Sequence, residues 1–327
     1  MKSKYRNVIV ADDPPGQGSR RYIRRRVSRI LGDGFALPRL DRLLTLGCSY
    51  PLKRLFAAKD SGRIPILMYH SVSDNLFGKK HPYYQINTSP QMFAKQMKWL
   101  HEAGYQTLSL AQLRAGIEEG VVPPKTVVIT FDDGYQDFCI DAFPSLRRYG
   151  FTASVFLATS RIQETPVRIE GVDYMTWREV CELHAEGIEF GSHTVSHPDL
   201  RSLGPEEIDY EVCFSKDTIE DHVGAAVRSF AYPFAFPEED HAFTRFLEDI
   251  LKNHGFESGV STVLGRASRN DDRFFLPRLP VNSWDDYSLF RAKLEGGYDW
   301  LHWPQWLNKF VHHNGSSMQR TNRIEYE

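Results

Sequence analysis

The chain is poor in cysteine, with four in 327 residues: Cys48, Cys139, Cys181 and Cys213. They lie far apart and form no C-x-x-C pair, which excludes a disulfide framework and a cysteine-built metal site. Long hydrophobic runs are also missing, since no apolar stretch approaches the roughly 18 residues that span a bilayer. The opening MKSKYRNVIVADDPPG has only the short apolar VIVA before acids follow, so it reads as lacking an export signal. Charge of one sign is absent as well. A net charge of -2 argues against a general nucleic-acid binder. No internal repeat is visible.

What is present is an alternation of short apolar runs and amphipathic stretches, which calls for a parallel sheet or barrel. The runs IPILMYHSV, VVITF, ASVFLA, IEFG, VRSFAYPF, GVSTV and FFLPRLPVN read as strands. Helices are expected over Gln91–Ala103, after the Thr88-Ser89-Pro90 cap, and from Ser109 to Gly120. Others are expected through CIDAFPSLRRYG, TWREVCELHAEG, GPEEIDYEVCFSKDTIEDHVG and HAFTRFLEDILKNHG. A polar loop should carry Tyr174 and Trp177.

The compact domain is read as 63–305, with a basic extension over 1–62 and a tail over 306–327. Within the extension, Arg20 to Arg29 holds six arginines in ten residues and no acid. Ile23, Val27, Ile30 and Leu31 would form an apolar stripe on a helix there. Two readings stay open: a solvated arm, or peripheral contact with an anionic membrane surface. Further on, Leu40, Leu43, Leu44, Leu52, Leu55 and Phe56 suggest one or two helices docking on the domain.

The chemistry gathers at two places. Val127–Phe131 is a buried-strand pattern that stops on adjacent carboxylates, Asp132 and Asp133, and then Gly134. An Asp-Gly turn is ordinary loop punctuation, but paired acids at a strand end belong to the rim where α/β folds bind ligands. The second place is His193-Thr-Val-Ser-His197, between Gly191 and Pro198. Two histidines and an aspartate would supply three protein ligands to a divalent ion and leave positions open for water or substrate.

Together TFDDGY and SHTVSHPDL resemble the polysaccharide deacetylases of the NodB-homology family, carbohydrate esterase family 4, over roughly Arg63 to Asp286. The resemblance implies a distorted, incomplete (β/α) barrel and metal-dependent removal of acetyl groups from N-acetylated sugars. It implies Asp133, His193 and His197 as metal ligands, for zinc or else cobalt, nickel or ferrous iron, and Asp132 as catalytic base. ILMYHSV resembles the subgroup acting on poly-N-acetylglucosamine, in which the acid histidine is permuted to the first strand, so His70 is implied as general acid; Trp300-Leu301-His302 is a weaker source. In the third motif, Phe230-Ala231-Tyr232-Pro233-Phe234, the backbone N–H of Phe234 is implied as oxyanion donor. Here the chain departs from the family, because Ala231 replaces the arginine that orients the catalytic aspartate. Arg228 and Arg278 are the substitutes, and strand alternation favours Arg278.

Leu279 and Val281 are read as lining the acetyl groove, and Tyr83, Tyr84, Tyr135, Tyr174 and Trp177 as either sugar platforms or core. The substrate expected is an N-acetylated glycan. A C–N hydrolase of small cyclic amides and a non-catalytic carbohydrate-binding protein are the alternatives, the latter drawing on Ala231. Action inside the cytoplasm, or at the inner membrane face, is the expected location.

Overall fold

The computed structural model describes residues 39–55, 62–74 and 86–307, all within a compact unit that begins at Arg39. Arg20–Arg29, Phe56, Tyr83, Tyr84 and the tail from Gly315 lie outside the described residues. Among the described residues no helix is long and apolar enough to cross a membrane.

The chain opens with α1 (Leu40–Leu44), a π-helical turn over Thr45–Ser49, and α2 (Tyr50–Leu55). Then follow β1 (Ile66–Tyr69), β2 (Ser71–Val72), β3 (Asn87–Thr88), α3 (Pro90–Glu102), β4 (Gln106–Leu108), α4 (Leu110–Glu119) and β5 (Thr126–Phe131). A π turn at Phe138–Ala142 leads into α5 (Phe143–Arg148), followed by β6 (Ser154–Leu157) and the hairpin β7 (Val167–Ile169) and β8 (Val172–Tyr174). The remainder is α6 (Trp177–Ala185), β9 (Glu189–Ser192), α7 (Pro205–Val223), β10 (Ser229–Ala231), α8 (His241–Asn253), β11 (Ser258–Leu264), β12 (Leu276–Pro280) and α9 (Tyr287–Leu294).

Local chemistry sets the helix ends. Ser89 and Ser109 accept from Met92 N and Gln112 N at the starts of α3 and α4, and Thr176 forms a reciprocal capping box with Glu179 on α6. Gly120 closes α4 in the left-handed conformation, where a side chain would be strained. The hairpin β7–β8 falls in the stretch read as a polar loop, and β4 and α9 match no expected element; all are short segments whose apolar pattern is too brief to show a period.

Seven strands close a ring in the order β1-β12-β11-β10-β9-β6-β5, because β1 pairs with both β12 and β5. Every pairing in the ring is parallel, and β4 joins the first half of β5 from outside it. This is the incomplete barrel expected, one strand short of eight. Alternation puts Ile66, Val128, Phe156, Ala231, Val260 and Leu276 in one small apolar cluster inside, while a larger cluster lies between strands and helices. Gly191 belongs to this packing, because a Cβ there would lie 2.7 Å from the Phe156 ring and 2.6 Å from Ser229 Oγ. Parallel strands bring all their carboxyl ends to one mouth, so His70, Asp132, His193 and the loop after Ala231 gather there although they span most of the sequence.

The leucine reading of the extension needs a correction. α1 and α2 do sit on the domain, but through their polar side: Asp41 accepts from the Tyr298 hydroxyl at 2.9 Å, Thr45 Oγ1 from Trp300 at 3.0 Å, and Glu295 from Tyr50. Leu40, Leu43, Leu44, Leu52 and Leu55 point to solvent.

Candidate metal and catalytic site

Asp132 and Asp133 are adjacent in sequence and differ in surroundings. Asp132 follows β5 in the inward phase of Val128 and Thr130, so its carboxylate enters the barrel. There Arg278 from β12 grips it with two parallel hydrogen bonds, Nη1 to Oδ1 at 2.7 Å and Nη2 to Oδ2 at 2.8 Å. Arg278 is completely buried, and two of its remaining three donors are used on the Ser261 carbonyl at 2.9 Å and Thr130 Oγ1 at 3.1 Å. A buried guanidinium with no such partners would be costly; here the fork geometry satisfies both ions. Burial alone would raise the Asp132 pKa, but Arg278, His193 and His70 together hold it far below the usual carboxylate range. On the other side of Asp132 stands His70, its Nε2 3.8 Å from Oδ2.

Asp133 would point out of the barrel if the strand simply continued. Instead its φ of 74° turns the chain and re-aims the carboxylate at the histidines. Gly134 takes φ 79° next, where a Cβ would press on Leu157 and Ile162 at 2.9 and 3.0 Å. Asp133 Oδ1 lies 3.8 Å from His193 Nε2 and 3.3 Å from His197 Nε2, and one ligand atom from each residue falls within 4.8 Å of the others. Among the described residues this is the group able to hold a metal ion.

The donor set fits such an ion. His193 Nδ1 sits 2.7 Å from the Ala231 carbonyl, which makes it the N–H donor and leaves the Nε2 lone pair toward Asp133. His197 reaches the site from a loop in which Thr194 and His197 both have positive φ, 70° and 59°. That strain is held by Glu211 of α7, which accepts from Val195 N at 2.8 Å, Ser196 N at 2.9 Å and Ser196 Oγ at 2.7 Å. Burial and neighbouring His193 push the His197 pKa down, favouring the neutral imidazole that ligates metals. On Asp133, Tyr135 donates a hydrogen bond, and Tyr135 packs against Tyr174, whose hydroxyl accepts from Arg161 at 2.5 Å.

Other expected site residues fall as follows. Phe234 has φ 58° and sets its ring edge-to-face against the His197 ring, centroids 4.6 Å apart. Leu279 and Val281 are buried at the carboxyl end of β12. Arg228 pairs with Glu257 on the surface, and His302 pairs with Glu238 at 3.8 Å. Tyr135, Tyr174 and Trp177 are buried, and Trp177 stacks on His222, so these three are packing residues rather than exposed platforms. Glu211, Arg161 and the Ser261 carbonyl had no sequence signal; Thr130, Tyr135 and Ala231 stood inside recognised motifs, where nothing in the pattern pointed to these hydrogen bonds.

With this geometry in hand, known proteins are informative. The Bacillus subtilis protein YxkH, a polysaccharide deacetylase by name, is 31% identical over 237 residues, 71% of this chain and 76% of its own. The chain belongs to the polysaccharide deacetylase family. The family's own model matches residues 119–258, which hold Asp132, Asp133, His193 and His197. An Escherichia coli poly-beta-1,6-N-acetyl-D-glucosamine N-deacetylase is 33% identical over 138 residues, 39% of this chain and only 20% of that longer protein. The Streptococcus pyogenes deacetylase PplD, solved with acetate, superposes with a TM-score of 0.60 at 24% identity, covering 71% of this chain and 98% of that one. Family membership and fold together make Asp133, His193 and His197 the family's Asp-His-His site for a divalent metal.

Proposed function

We propose that this protein hydrolyses N-acetyl groups from a polymeric N-acetylated glycan of the poly-N-acetylglucosamine kind. The observation that carries this reading is the placement of Asp132 between Arg278 at 2.7 Å and His70 at 3.8 Å, next to the Asp-His-His group at the barrel mouth. A hydrolase of amides needs a base for water, an acid for the departing amine and a means of stabilising an oxyanion, and side chains suited to each lie within one mouth.

Asp133, His193 and His197 would hold the ion, zinc being the best match to one carboxylate and two imidazoles with open positions. When bound, the ion supplies a Lewis acid that polarises the acetyl carbonyl and acidifies water at neutral pH. Asp132 takes the proton of the attacking water, and Arg278 keeps its two oxygens ionised and oriented for that transfer. The Phe234 N–H donates to the developing oxyanion. His70 then gives its proton to the amide nitrogen, so the C–N bond breaks with a neutral amine leaving and acetate remaining. Leu279 and Val281 flank the acetyl methyl from β12.

Ala231 favours the rival reading of a protein that binds glycans without turnover, since it removes the usual arginine. Arg278 supplies that guanidinium from another strand, and the small side chain at Ala231 leaves the interior open for it. The test is acetate and amine release from N-acetylglucosamine oligomers, with and without a chelator. Chelator-sensitive release that Asp132→Asn abolishes is the expected result; glycan binding with no release by metal-loaded wild type overturns it.

A further inference from the structure

The first helical stretch of the unit is amphipathic the wrong way round. From Leu40 to Leu55 the exposed positions are Leu40, Leu43, Leu44, Gly47, Cys48, Pro51, Leu52, Arg54 and Leu55, recurring every three to four residues. The inward positions are polar: Asp41, Thr45, Tyr50 and Lys53 hydrogen-bond to Tyr298, Trp300, Glu295 and Gly296 of the domain. Those bonds set which side faces in, so the leucines are left on the outside. Leu40, Leu43, Leu52 and Leu55 are 63, 59, 52 and 79% exposed. A soluble helix ordinarily buries such a stripe, and an exposed one of this length marks an interaction surface.

The patch continues toward the barrel mouth. Arg39 donates to the Trp284 carbonyl at 3.3 Å and Arg42 to Asp286 at 2.9 Å, placing Trp284 and Tyr287, about half exposed each, beside α1. Trp284 follows β12, whose carboxyl end is part of the mouth. Within the stripe itself the exposed charge has one sign, while Asp286, half exposed and paired with Arg42, borders it. Between Arg39 and Leu55 the single acid, Asp41, is buried, whereas Arg54 is exposed and Arg42 and Lys53 are partly so. In sequence, the residues just upstream include six arginines in ten with no acid, Arg20 to Arg29.

We propose that the stripe Leu40–Leu55, with Trp284 and Tyr287, seats this protein on an anionic lipid surface. Leucines on one face, aromatic residues at the margin and an exposed face that carries Arg54 and no acid of its own are the chemistry of an interfacial helix. A second copy fits less well. A stripe roughly 24 Å long and about 10 Å wide offers on the order of 240 Å², against about 800 Å² per partner in a stable dimer.

The full chain is mixed with vesicles of phosphatidylcholine alone or with phosphatidylglycerol added, then sedimented. Cys48, the exposed cysteine in the stripe, carries an environment-sensitive fluorophore, with Cys48→Ser as its control. Co-sedimentation with the anionic vesicles, weakened by salt, and a blue shift of the probe are expected. Leu43→Glu with Leu44→Glu, and separately Leu52→Glu with Leu55→Glu, should each cut the bound fraction at least about tenfold. Far-ultraviolet circular dichroism shows that both variants stay folded. No binding to anionic vesicles overturns the proposal, as does binding that both leucine variants leave intact. A concentration-dependent dimer dissolved by the leucine changes, without vesicle binding, overturns it in favour of a second copy. The readout is lipid binding, so it stands apart from the deacetylase assay.

Discussion

Asp132 and Asp133 show how little sequence adjacency says about role. One extra residue past the strand, together with a positive φ, sends the first carboxylate to a buried guanidinium and the second to two imidazoles. If Asp132 is the base, Asp132→Asn lowers kcat about 100- to 10,000-fold, while bound metal, read by mass spectrometry, stays at wild-type level. Arg278→Gln is predicted to do two things. Leaving a buried charge unpaired costs about 3–5 kcal/mol in urea unfolding, and Asp132 then titrates at higher pH. The sign follows from the wild type: a carboxylate held below its unfolded value is stabilising above pH ~4 and loses that only as pH falls toward its depressed pKa. Without Arg278 the acid limb of the pH–rate profile therefore moves up. Asp132 was readable from the motif it sits in. Its partner could be narrowed to Arg278 by strand alternation, but the pairing itself depends on β12 closing the ring against β1, which no local pattern encodes.

At the level of elements, the helices were legible because caps and stops are local chemistry, as Ser109, Thr176 and Gly120 show. The segment carrying His193 and His197 was legible as a strand running into a loop, but the loop's shape was not, because that comes from Glu211 on a helix that follows it. A second acid is held by a residue from another element. Asp137, on the turn after β5, accepts from Ser71 at 2.5 Å, its other oxygen is buried without a hydrogen bond, and burial pushes its pKa up to about 6. A carboxyl with a raised folded pKa favours the native state below its unfolded value and loses that advantage as pH climbs through about 6. Asp137→Asn is accordingly expected to gain on the order of 2 kcal/mol at pH ~7 and almost nothing near pH ~4, measured by urea unfolding at both. Gly191→Ala works in the opposite direction. Its Cβ would meet Phe156 and Ser229 inside the barrel, so a loss of about 1–3 kcal/mol is expected, read from the unfolding midpoint.

For the whole molecule, the decisive event is ring closure, and it links folding to the metal. Asp133 lies on one strand end and His193 and His197 on another, so the unfolded chain cannot present the three together. Zinc at about 100 times its Kd should then add ~2.7 kcal/mol to stability, visible as a higher Tm that a chelator reverses and His193→Ala abolishes. Composition, alternation and the two motifs were enough to determine a parallel α/β barrel of the deacetylase family and to single out the Asp133, His193 and His197 group that the fold brings together. Those properties are carried by short stretches whose periodicity and turn chemistry are local. Three matters were decided only in three dimensions: that Arg278 takes the place vacated at Ala231, that the buried aromatics are core, and that the leucines of the first helices face outward. Each depends on which side of an element meets its neighbour, and that is settled by the combined packing and hydrogen bonding of residues far apart in the chain.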